Sequence, residues 1–71
     1  MNNVERAKVA EDVTVVFATM SRSESESLKV NLSDLLADVI HLCNREHIDF
    51  DSMLKSARDH HFHETAGEDS N

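Results

Sequence analysis

The sequence predicts an all-α fold: three helices, the second and third paired as an αα-hairpin, and the whole chain assembled as a dimeric helical bundle. Three observations carry this expectation. Proline is absent and the single glycine, Gly67, lies near the end, whereas an all-β fold needs turn residues every 8 to 12 positions or so. Apolar residues recur at three- and four-residue spacing in three separate stretches. Finally, the chain has 71 residues, and chains of about this size bury only about 60% of the surface that their unfolded forms expose. Such chains usually recruit a disulfide, a metal or a second copy of themselves. One cysteine, Cys43, excludes an intramolecular disulfide.

The first helix is expected over residues 2–20. Asn2 followed by Glu5 has the spacing of a capping box. Val4, Ala7, Ala10, Val13, Phe17 and Met20 then form an apolar stripe, widened by Val9 and Val16. The β-branched run "VTVVF" imitates a strand, but the stripe crosses it unbroken and no partner strand exists elsewhere. Residues 21–27, "SRSESES", lack apolar periodicity and predict a polar loop.

The second helix is expected over 32–46, with Asn31 as its cap and Asp34 in its first turn. Leu32, Leu35, Leu36, Val39, Ile40 and Cys43 keep helical spacing. With no glycine to take a left-handed cap, this helix is expected to fray near Glu46 and His47. Asp49 restarts the chain as a cap, and Phe50, Met53, Leu54, Ala57 and His61 make the inner stripe of a third helix over 50–63. Residues 1–63 form one small domain in this reading, and 64–71 a polar acidic tail expected to be disordered. The core and dimer contacts are assigned to Val13, Phe17, Leu35, Leu36, Val39, Ile40, Cys43, Phe50 and Leu54. The stripes are wider than a small monomer needs, hence the expected homodimer.

The formal net charge is −7, from 14 acids against 7 Lys and Arg. The middle is the acidic part, since residues 31–51 hold Asp34, Asp38, Glu46, Asp49 and Asp51 against Arg45 alone. Such a surface repels a phosphate backbone, so no direct nucleic-acid contact is expected. No basic-then-apolar leader opens the chain, and no apolar run approaches the roughly 20 residues of a membrane span. A soluble, cytoplasmic protein is expected, the lone cysteine fitting a reducing compartment.

The stretch "RDHHFHET" suggests metal chemistry, because Asp59 and His63, and likewise His60 and Glu64, stand four apart on a helix. One short helix converges three or four ligands poorly. The expectation is therefore that His60, His61 and His63 form the wet end of the third helix, favoured by its dipole, with His61 packed inward and no metal bound. Cys43 lies on an apolar stripe in an acidic region, which suits a small core residue and not a thiolate nucleophile. No catalytic residue and no cofactor are assigned.

Residues 33–54, "SDLLADVIHLCNREHIDFDSML", resemble part of the all-α MazG-like nucleoside triphosphate pyrophosphohydrolases. That resemblance implies magnesium held by Asp34 and Asp38, although Leu35 occupies the place of the family's first acid. From about Arg6 to Glu64 the chain also resembles small uncharacterised helical proteins of proteobacterial plasmids and phages. Their pattern has a leucine-rich acidic helix, a break reading glycine-x-asp-phe-asp, and a helix ending in ala-arg-x-his and an aromatic. This chain departs from it at His47, where the glycine is expected. The resemblance implies an accessory protein of a mobile element.

The leading expectation is thus a non-enzymatic acidic interaction protein that binds and modulates a basic protein partner. Its partner surface is the edge formed by Asp34, Asp38, Glu46, Asp49 and Asp51. The alternatives are a magnesium-dependent nucleotide pyrophosphohydrolase or its remnant, and a small helix-turn-helix DNA-binding protein, for which the third helix offers only Lys55 and Arg58.

Overall fold

Each helix in the computed structural model begins where a side-chain oxygen accepts a backbone N–H three residues on. The structure describes residues 1–68. Over these the order is α1 (Asn3–Met20), α2 (Leu28–Arg45) and α3 (Phe50–Glu68), with no strand among the described residues. Asn2 Oδ1 accepts from Glu5 N at 2.8 Å, and Ser27 Oγ accepts from Val30 N at 3.2 Å. Asp49 Oδ1 accepts from Asp51 N and Ser52 N at 3.0 and 3.3 Å. These contacts satisfy donors that no helical carbonyl can reach.

Two boundaries differ from the expectation. Ser27, not Asn31, caps α2, so the helix starts four residues earlier and Asn31 lies inside its first turn, buried. Lys29 and Val30 tolerate a helix, and a serine immediately before Leu28 supplies the cap without help from Asn31. At the other end of the chain, α3 runs on through Glu64 to Glu68, so residues 64–68 of the expected tail are helical. Residues 69–71 lie outside the described part.

The ends of α1 and α2 are built alike. Arg22 and His47 both adopt left-handed backbone, with φ of 57° and 58°. Beyond α1, Ser23 N donates to Ala18 O at 2.8 Å and Arg22 N to Thr19 O at 3.3 Å. Beyond α2, Ile48 N donates to Cys43 O at 2.8 Å and His47 N to Asn44 O at 3.5 Å. That pair of bonds is a Schellman cap. The expected fraying at Glu46 and His47 is therefore replaced by a closed cap, which His47 accepts at a steric cost that a glycine would avoid.

Helix α1 packs against both α2 and α3. Among the described residues the buried ones are all small or medium-sized: Thr14, Ala18, Asn31 and Cys43. Thr14 satisfies its hydroxyl by donating to Ala10 O at 2.7 Å, the usual solution for a threonine inside a helix. On α2 the covered row is Asn31, Leu35, Val39 and Cys43, spaced by four and either buried or half-buried. The last turns of α3 return to the start of α1, where Arg6 Nε and Glu64 Oε2 are 2.9 Å apart. Asn3 Nδ2 donates to Glu64 O at 3.4 Å.

Much of the large apolar surface stays outside. Val13 and Leu36, assigned to the core from the sequence, are each 52% exposed, and Ile40 is 40% exposed. Phe17, Leu35, Val39, Phe50 and Leu54 are half-buried. On α1 the bare row is Val9, Val13, Val16 and Met20; on α2 it is Leu28, Leu32, Leu36 and Ile40. The accessible surface is 5839 Å², against about 4450 Å² expected for a compact chain of this mass. The radius of gyration is 14.1 Å, against about 11 Å for a compact domain of this length.

Candidate functional site

The acidic edge is exposed throughout, but its five carboxylates are not equivalent. Asp49 is occupied as the cap of α3. Glu46 Oε1 is held by Arg45, at 2.8 Å from Nη2 and 2.9 Å from Nε. Asp34, Asp38 and Asp51 form no ion pair among the described residues and are exposed. Within this edge, the carboxylates free to meet a partner are therefore the three aspartates on α2 and at the start of α3.

Asp34 and Asp38 lie one turn apart on α2. Among the described residues, no three of His, Cys, Asp and Glu stand close enough together to hold a metal ion. His60, His61 and His63 are all exposed, so His61 does not take the inward place its spacing suggested. Leu54, on the same helix face, is half-buried, whereas His61 is exposed. Phe62, 67% exposed, and His63 meet edge to face with ring centroids 5.7 Å apart. Cys43 is a free, buried thiol, 2% exposed. No helix among the described residues is long and apolar enough to cross a membrane.

A second acidic feature escaped the sequence reading. A cleft of about 300 Å³ opens between α1, the 21–27 loop and the first turn of α2. Its floor holds the buried Thr14, Ala18 and Asn31, its walls include the exposed Val15 and Leu28, and Glu11, Glu24 and Glu26 complete the lining. Asn31 is 6% exposed. Its Nδ2 donates to Glu26 O at 3.5 Å, whereas its Oδ1 is buried without a hydrogen-bond partner. Glu11 is shared with Lys8, whose ammonium lies 2.9 Å from both Glu11 and Asp12. Asp12 first, then Glu11, raise the Lys8 pKa above its ordinary value. Glu24 and Glu26 form no ion pair among the described residues. The sequence signal was present as an asparagine five residues after a glutamate, but reading Asn31 as a cap assigned its side chain another task.

No family model matches the chain, and neither a curated protein nor a solved structure matches it.

Proposed function

We propose that the chain is a self-associating, non-catalytic, acidic helical interaction protein that binds a basic protein partner. The observation that carries the reading is the combination, on α2, of a bare apolar row with the unpaired Asp34 and Asp38. The excess of roughly 1400 Å² over a compact chain falls in the range that each subunit of an obligate homodimer buries. A second copy is the natural cover for the Leu32, Leu36 and Ile40 row. Within one chain α2 and α3, joined by a four-residue link, each pack on α1 and scarcely on one another; in this reading they close as an αα-hairpin only against the second copy, as a helical bundle.

Asp34, Asp38 and Asp51 then supply the partner surface. Unpaired carboxylates steer a basic protein and select it by complementary potential. The resemblance to plasmid and phage accessory proteins supports such a setting, in which a small protein modulates a host or plasmid protein. Binding of this kind is screened by salt, since the Debye length is about 10 Å at 0.1 M and about 3 Å at 1 M. The test is affinity capture with the wild-type chain and with an Asp34→Asn/Asp38→Asn/Asp51→Asn variant. A basic protein retained at low salt, and lost both at high salt and with the variant, is the expected result. Capture indifferent to salt and to the three substitutions defeats the partner-binding reading.

A further inference from the structure

We propose that two copies of the chain pair antiparallel along α2, row against row, with their Asp34 and Asp38 edges on opposite outer sides of the dimer. This rests on the self-association proposed above and adds which row forms the seam and in which direction. Two bare rows compete: Val9, Val13, Val16 and Met20 on α1, and Leu28, Leu32, Leu36 and Ile40 on α2. Exposure does not separate them, since every member of either row is at least 38% exposed. Charge does. Each copy carries a formal net charge of −7, so carboxylates beside the seam oppose association. On α1, Glu5 lies one turn before Val9 and Asp12 one turn before Val16, so acids border that row. On α2, Asp34 stands two residues from Leu32 and Leu36, and Asp38 two residues from Leu36 and Ile40. Residues two apart do not share a helix face, so these acids lie away from the row. Lys29, Ser33 and Ala37 border it instead, each exposed and three residues before a row member. One cation and two small uncharged side chains let a second helix approach to the usual 8–10 Å or so between axes.

The direction follows from the same charges. Leu28 lines the cleft that also holds Glu24 and Glu26, which form no ion pair among the described residues. A parallel pair brings these glutamates against their own copies, and Lys29 against Lys29. In an antiparallel pair, the twelve-residue step from Leu28 to Ile40 holds the two loops about 18 Å apart. That exceeds the Debye length of about 10 Å at 0.1 M salt. The helix dipoles then run in opposite directions, and each Lys29 lies toward the last turns of the other α2, its partial negative end. Row against row, Leu28 meets Ile40 of the second copy, and Leu32 meets Leu36 of the second copy.

The wild-type full chain, mixed from equal parts of ¹³C-labelled and unlabelled copies, tests the pairing by isotope-filtered nuclear magnetic resonance. Sedimentation equilibrium on the same sample reports the oligomer. Methyl contacts between copies are expected from Leu28 to Ile40 and from Leu32 to Leu36. Contacts of Leu28 with Leu28 and of Ile40 with Ile40 mark a parallel pair, and contacts among Val9, Val13, Val16 and Met20 mark an α1 seam. Either result overturns the proposal while the self-association reading stands; a monomer at every concentration overturns both. On dilution the methyl signals of Leu32 and Leu36 should move and the carboxyl signals of Asp34 and Asp38 should not. Carboxyl signals that move with the methyls overturn the outward placing of the edges. Lys29→Glu is expected to weaken the dimer at least about threefold, and Lys55→Glu, the same charge change on α3, less than about twofold. Equal weakening by the two marks net charge alone and overturns the role given to Lys29 in setting the direction.

Discussion

His47 shows how a single residue decides whether a helix ends or frays. Its φ of 58° puts a side-chain-bearing residue in left-handed backbone, at a cost of about 1–2 kcal/mol. The two cap bonds from His47 N and Ile48 N are the compensation. Glycine removes that penalty but gains about 0.4–1 kcal/mol of conformational freedom in the unfolded chain. His47→Gly is therefore expected to stabilise the protein by about 0.5 kcal/mol, a rise of about 2–4 °C in Tm. Arg22→Gly, at the matching place after α1, should act in the same direction. A lower Tm for both variants contradicts the strained-cap account. The sequence indicated a break here but not its geometry, because left-handed backbone at a histidine has no sequence signature as clear as a glycine.

At the scale of the element, α2 was the most legible helix and yet its start was misplaced. Both Ser27 and Asn31 are good cap residues, and each precedes a leucine, so local pattern offered two starts. Ser27 gives α2 one more turn and carries Asn31 onto the row with Leu35, Val39 and Cys43. Ser27→Ala is expected to cost about 1 kcal/mol, with amide hydrogen exchange accelerating over Lys29–Leu32. Unchanged exchange there would show that the first turn does not depend on the Ser27 hydroxyl. Helix α1 is the opposite case. Its apolar residues are interspersed round the helix with Glu5, Arg6, Lys8, Glu11 and Asp12, so the sequence does not say which face turns inward. Thr14 and Ala18 won over Val13 because small side chains let neighbouring helices approach closely.

For the whole molecule, the governing fact is that among the described residues only small ones are fully buried, while the branched and long apolar ones are half-covered or stand outside. Fully burying a side chain such as Leu or Ile is worth roughly 1.5–3 kcal/mol, so the bare rows on α1 and α2 are a large unused stabilisation. Sedimentation equilibrium is expected to show a dimer at micromolar concentration, with a melting temperature that rises with concentration. Leu36→Glu, a substitution at a half-exposed position of the α2 row, should shift the equilibrium to monomer and lower the Tm. A monomer whose stability is independent of concentration and insensitive to Leu36→Glu removes the self-association premise.

By itself the sequence determined the helical class, the number of helices, the loop at 21–27 and the acidity of the middle segment. These follow from local causes: side-chain periodicity, cap chemistry, and the absence of proline and near-absence of glycine. Only the tertiary structure decided which face of each helix is covered and that Glu64 closes onto Arg6. It also brought Asn31 together with Glu11, Glu24 and Glu26, residues spread over two helices and a loop. The physical reason is that burial and pairing depend on what lies across a helix–helix contact, and no spacing along one strand of sequence encodes the neighbour on the other side.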